Sequence, residues 1–167
     1  MIDLPDLPDL PDLLDRARAL RATIATAESC TGGMVAAALT SVPGSSDVVD
    51  RGFVTYSNAA KREMLGVQAT TLDAHGAVSE AVAREMAEGA LAHSPVTLAV
   101  AITGIAGPGG SEFKPEGRVC FALALREGET RAETVEFGAA GRDRVRHMAR
   151  DHALELLGAG LEALAAR

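Results

Sequence analysis

The sequence predicts one three-layer α/β/α domain with a mixed, partly antiparallel sheet, and three observations carry that prediction. Helix-permissive and β-rich segments are interspersed along the chain, with no internal repeat and no linker to divide it. Residues 96–102 are nearly all apolar or β-branched, the composition of a strand buried on both faces. Residues 118–125 and 131–137 flank a turn at Glu127-Gly128-Glu129 and read as a hairpin, which makes part of the sheet antiparallel.

Residues 1–11 form a low-complexity lead-in built on Asp-Leu-Pro. Each proline removes a backbone donor and turns the preceding residue away from helix, so the domain proper is placed at residues 12–167. Leu13, Leu14, Ala17 and Leu20 share one face of a helix over residues 12–20 that covers the sheet. Residues 22–27 are β-leaning, and Ser29-Cys30-Thr31-Gly32-Gly33 turns them into an Ala-rich helix over residues 34–39. Pro43-Gly44 ends that helix, and Val48, Val49, Phe53, Val54 and Tyr56 mark the next strand. Ser57 or Asn58 caps a short helix ending near Gly66. A turn through His75-Gly76 leads to Ser79, the N-cap of a helix over residues 80–92 that Pro95 closes. After the buried strand, residues 103–117 are too Gly-rich for a packed element and too long for a plain turn, which makes them a binding-loop candidate. The last helix covers residues 142–166, broken or bent near Gly158 to Gly160.

Composition removes several function classes. The 167 residues, 47% hydrophobic, can bury roughly two thirds of the unfolded chain's surface without metal or cystine support. A formal charge of −7 repels phosphate polymers and anionic lipid, and 3% aromatics leave too few rings for a base-stacking platform, so neither nucleic acid nor membrane is expected as a partner. The chain has no apolar run of about 18 residues, and its N-terminus is acidic where a signal peptide is basic, which points to the cytoplasm. Cys30 and Cys120 have no metal-ligand spacing, so no metal and no disulfide is expected.

Chemistry concentrates where strands end, because crevices outside the carboxyl ends of strands are the usual ligand sites of α/β sheets. Two such ends lead into the Ser29 turn and into Thr103-Gly104-Ile105-Ala106-Gly107, and both offer backbone N–H groups to an anion. Ser29 is a candidate nucleophile whose glycines let a ligand approach closely, although serine at such a turn is more commonly a helix cap. The chain contains fourteen Arg but only two Lys, Lys61 and Lys114. Arginine cannot act as a base, whereas a desolvated lysine can; moving a lysine from about 10.4 to about 7.5 costs roughly 4 kcal/mol. Read alone, each lysine is more commonly a surface charge than such a base. The four histidines signal no Ser-His-Asp set, and Cys30 is better read as a small buried residue than as a nucleophile. Glu28 either orients a substrate amide or pairs with a cation. Arg142 and Arg146 share a helix face that suits an anion and equally suits a solvated basic stripe.

Four motifs, in order, now resemble one family: Thr26-Ala27-Glu28-Ser29-Cys30-Thr31-Gly32-Gly33, Gly52-Phe53-Val54-Thr55-Tyr56-Ser57-Asn58-Ala59-Ala60-Lys61, His75-Gly76-Ala77-Val78-Ser79 and Thr103-Gly104-Ile105-Ala106-Gly107-Pro108. They resemble the CinA C-terminal domain family, whose stand-alone PncC-type members are nicotinamide-nucleotide amidohydrolases. The resemblance implies hydrolysis of the carboxamide of nicotinamide mononucleotide (NMN) to nicotinate mononucleotide and ammonia. It assigns Ser29 as nucleophile, Lys61 as general base and Tyr56 as proton relay or orienter. Substrate contacts fall to Glu28, Thr31, Gly32, Gly33, Asn58, Thr103, Gly104, Ile105, Ala106, Gly107, Arg142 and Arg146, with no metal, no cofactor and a homodimeric assembly. The alternative is a CinA-like module that binds a nucleotide or partner with little turnover. One departure from the family pattern is Glu116, which stands where a small apolar residue is usual.

Overall fold

The computed structural model describes residues 9–111 and 113–167; most of the Asp-Leu-Pro lead-in, residues 1–8, lies outside the described residues. In chain order come α1 (Leu10–Ala19), β1 (Ile24–Glu28), α2 (Met34–Thr40), β2 (Val49–Val54), α3 (Asn58–Leu65), α4 (Ala69–His75), α5 (Glu80–Ala92), β3 (Leu98–Gly104), β4 (Arg118–Leu125), β5 (Arg131–Glu136) and α6 (Arg142–Ala165). The five strands lie in the order β2-β1-β3-β4-β5. The first three are parallel, β4 is antiparallel to β3 and β5 is antiparallel to β4, giving the mixed sheet of the expected fold class.

Side-chain size sorts the two faces of the sheet. Leu98, Val100 and Ile102 of β3 and Val119, Phe121 and Leu123 of β4 pack with Leu13, Leu14, Leu39, Leu154 and Leu157 of α1, α2 and α6. The alternate residues Ala99, Ala101, Cys120, Ala122 and Ala124 face α5, with its Ala83, Ala87 and Ala90. A strand places successive side chains on opposite faces, so this large-small alternation admits α5 close to one face and fills the other with branched chains. Each fully buried leucine or phenylalanine contributes about 2 kcal/mol by area transfer. At α5, a Cβ added to Gly89 would fall 2.0 Å from the Leu65 carbonyl, so the glycine lets α3 dock end-on against α5.

Several elements differ from the sequence expectation. The first helix begins at Leu10, with Asp9 Oδ1 accepting from the Asp12 N–H and proline in its first turn, where a missing N–H is harmless. Helix α4 was not expected: Gln68 offers it no side-chain cap and Leu72 is its one buried residue, so neither end signals nor periodicity announce it. The last helix runs unbroken through Gly158 and Gly160. There a Cβ at Gly160 would meet Leu98 and Leu123 side chains at 3.0 and 3.1 Å. The glycine gives α6 close approach to the sheet, not a bend.

Register sets up the site. Glu28 pairs with Val54 on one side and with Ile102 on the other. Strands β1 and β2 therefore end level, so Ser29 and Thr55 leave the sheet side by side, with Thr103 beside them in β3, which continues to Gly104.

Candidate active site

At the carboxyl ends of these strands lies a cleft of about 370 Å³. A groove of about 440 Å³ between the hairpin and α6 is larger, but its walls, such as Leu123, Leu125 and Leu156, carry no serine, threonine, cysteine or lysine.

The Ser29 turn is shaped from below. Glu28 is fully buried and faces away from the cleft. Its carboxylate accepts from Thr31 Oγ1 at 2.7 Å and from the Val35 and Ala36 N–H groups at 2.9 and 3.1 Å. It thereby caps α2, whose N-cap position is held by Gly33 at φ +103°, a residue with no side chain to offer. Ser29 is thus not the cap: it sits four residues upstream, with its hydroxyl in the cleft. The Ser29 N–H is bound to the Ile102 carbonyl at 2.9 Å. Arg146 Nε donates to the Cys30 carbonyl at 3.0 Å and Nη2 to that of Thr31 at 3.4 Å, bracing the turn from α6.

Lys61 comes from α3, which Ser57 caps by accepting from the Ala60 N–H. The side chain is 1% exposed, and its Nζ donates to Ser29 Oγ at 2.9 Å and to the Thr55 carbonyl at 2.8 Å. Burial pushes the Lys61 ammonium down from its ordinary 10.5 to about 8, with neighbouring Cys30 opposing weakly. Burial also pushes the Cys30 thiol up to about 12, so it stays protonated and unreactive at neutral pH.

Arg142 closes the rim by donating from Nη1 to the Gly107 carbonyl at 2.7 Å and from Nη2 to the Tyr56 hydroxyl at 2.9 Å. The backbone N–H groups of Cys30, Ala106 and Gly107 have no acceptor among the described residues.

The fold brings together Ser29, Lys61, Tyr56, Asn58, Thr103, Gly104, Ile105, Ala106, Gly107 and Arg142 as cleft walls. Glu28, Thr31, Gly32, Gly33 and Arg146 stand behind the wall as its support. Ala77, Val78 and Gly109 to Ser111 also line the cleft; the last three lie in the binding-loop candidate at residues 103–117, but none of the five was given an individual role from sequence. The signal for the first two was the motif around His75-Gly76; Thr103 Oγ1 donates to the Ala77 carbonyl at 2.9 Å and fixes that turn against β3. Among the described residues no cluster of three or more His, Cys, Asp and Glu side chains could hold a metal ion, and no helix is long and apolar enough to cross a membrane.

The CinA C-terminal domain family matches residues 11–161. The chain belongs to that family. A nicotinamide-nucleotide amidohydrolase PncC of Escherichia coli K12 is 54% identical over 81% of this chain and 82% of its own length. A CinA-like protein of Chlorobium phaeobacteroides is 58% identical over 77% of this chain, and a putative competence-damage inducible protein of Symbiobacterium thermophilum is 54% identical over 81%. The matched region is about a third of each of these two longer proteins, 31% and 34%. Among solved structures, the competence/damage inducible protein CihA of Agrobacterium tumefaciens superposes with a TM-score of 0.87 at 48% identity, covering 97% of this chain and 99% of that one. A CinA superfamily protein of E. coli does so at 0.84 and 35%, covering 93% and 94%. This CinA domain therefore carries its cleft on the same architecture as these solved proteins.

Proposed function

We propose that this CinA-family chain is a nicotinamide-nucleotide amidohydrolase that converts NMN and water to nicotinate mononucleotide and ammonia, with Ser29 as nucleophile and Lys61 as general base. The observation that carries this reading is the buried Lys61 Nζ, 2.9 Å from Ser29 Oγ, with its ammonium pushed down to about 8 by desolvation. The substrate is suggested by the E. coli relative, which matches this chain over most of both lengths.

In the reaction, the Thr55 carbonyl accepts one N–H of neutral Lys61 and so orients the lone pair toward the Ser29 hydroxyl. Ser29 Oγ gives its proton to Nζ and bonds to the carboxamide carbon. The free N–H groups of Cys30, Ala106 and Gly107 are the candidates to receive the oxyanion, since the Ser29 N–H is already bound to Ile102. The C–N bond breaks as Lys61 returns its proton to the departing ammonia. Water then loses a proton to the same lysine, attacks the acyl-enzyme and releases the acid while Ser29 regains its hydrogen. The substrate's pyridinium charge makes its carboxamide more electrophilic and disfavours a protonated Lys61 nearby. The 5′-phosphate falls to the glycine-rich loop and to Arg142 at the rim, because Arg142 lines the cleft whereas Arg146 stands behind it, bracing the Ser29 turn.

Ammonia release from NMN by the EDTA-treated protein, beside Ser29→Ala and Lys61→Ala, tests the reading. Both substitutions are expected to abolish turnover with folding retained, and nicotinamide is expected to be a poorer substrate than NMN. Unchanged turnover in Ser29→Ala would refute the mechanism. Binding of NMN without any ammonia release in wild type would point to the binding module instead.

A further inference from the structure

The second lysine of the chain lies outside the reaction just described, yet its ammonium, like that of Lys61, makes two hydrogen bonds. Lys114 Nζ donates to the His75 carbonyl at 2.5 Å and to the Val78 carbonyl at 2.5 Å. The lysine belongs to the glycine-rich loop after β3; the two carbonyls belong to the turn after α4, across the cleft.

The rest of that loop is weakly held. Its base is closed by Ile105 N–H on the Arg118 carbonyl and Gly117 N–H on the Ile105 carbonyl, and Arg142 clasps Gly107. Beyond Pro108, Ser111 and Lys114 exchange backbone hydrogen bonds at 3.0 and 2.8 Å, which closes the tip upon itself. Phe113 at that tip is fully exposed and takes φ +63°, so it anchors nothing. Among the described residues 108–114, the Lys114 ammonium makes the hydrogen bonds that join this tip to another part of the fold. Gly107, Gly109 and Gly110 make an unstrapped loop entropically favourable, because each glycine surrenders more freedom on ordering than any other residue.

The anchor, by contrast, is rigid. His75 ends α4, where a helix's unpaired carbonyls favour a cation, and Thr103 Oγ1 pins the neighbouring Ala77 carbonyl to the end of β3. One ammonium nitrogen, with three donors, can aim two of them at two converging carbonyls.

We infer that Lys114 is a positioning residue that straps the glycine-rich loop onto the His75–Val78 turn and so keeps the substrate-binding wall of the cleft in place. The kinetic part of this inference rests on the amidohydrolase reading; the structural part does not.

The test compares wild type with Lys114→Met and with Lys114→Cys alkylated by 2-bromoethylamine, which rebuilds an amine of lysine's length. Wild type treated alike controls for the buried Cys30 and Cys120. If the strapped loop becomes a one-in-ten conformer in Lys114→Met, KM for NMN rises about tenfold while kcat stays within about twofold, since apparent affinity scales with the competent fraction. Amide hydrogen exchange is expected to quicken in residues 105–117 and 75–79, the acid limb of the pH profile to stay in place, and the alkylated variant to recover KM. Unchanged KM, with or without faster exchange, would overturn the positioning role. So would a large loss of kcat with a displaced acid limb, which would make Lys114 a proton-transfer group. Absence of NMN turnover in wild type would instead remove the amidohydrolase reading, leaving hydrogen exchange to decide whether Lys114 straps the loop.

Discussion

Lys61→Met separates stability from catalysis at a single side chain. In wild type the lysine's proton affinity is depressed from 10.5 to about 8 by burial. At 1.36 kcal/mol per pH unit, that interval means charged Lys61 destabilises the fold by about 3 kcal/mol below pH 8, compared with alkaline solution. The sign follows from proton counting. Between about 8 and 10.5 the unfolded chain binds the proton that the folded chain has released, so folding stability rises with pH across that window and is lowest below it. Methionine fills similar space and does not titrate. The stability difference between wild type and Lys61→Met should therefore shift in favour of wild type by about 2 kcal/mol on going from about pH 7 to about pH 9.5. Loss of the bond to the Thr55 carbonyl offsets the variant's gain by about 1 kcal/mol at every pH and cancels from the difference. Other titrating groups, Cys30 and Cys120 included, are common to both proteins. Urea unfolding of both proteins at several pH values measures it. Parallel stability curves would refute the reasoning, because Lys61 would then hold its proton as an ordinary lysine and have no claim to be a base near neutrality.

Two further outcomes follow from the same geometry. Since Lys61 must be neutral to accept the Ser29 proton, kcat/KM for NMN should rise about tenfold per pH unit up to a pH of about 8 and then level, which a pH-rate profile reads directly; a flat acid limb would contradict the assignment. Glu28→Ala orphans the Val35 and Ala36 N–H groups and frees Thr31, so its urea unfolding should show a loss of about 3 kcal/mol together with loss of turnover as the Ser29 turn loosens; wild-type stability would exclude the capping role.

Local signals were the readable part of the sequence. Ser79 and Glu80 mark the start of α5, the apolar run marks β3, and the hairpin turn marks β4 and β5, because caps, periods and turns act within a few residues. The same reading missed α4, which lacks both cap and periodic face, and expected a break where α6 only narrows against the sheet. Glu28 illustrates the limit within the site. Its proximity to Ser29 suggested a substrate or cation partner, yet a strand sends adjacent side chains to opposite sides, and the carboxylate ends on the α2 amides.

By itself the sequence determined the fold class, the glycine-flanked serine and the scarcity of lysine that made either one notable. The family resemblance pointed to Lys61, but only the tertiary structure brings that lysine, and not Lys114, to the serine. Lys61 lies 32 positions from Ser29 and reaches it because the ends of β1 and β2 are level and Gly89 lets α3 seat against α5. Lys114, chemically identical, is carried by its loop to two carbonyls on the far wall. Strand register and helix docking are long-range packing choices, made by burial summed over many residues, and no local pattern around either lysine encodes them.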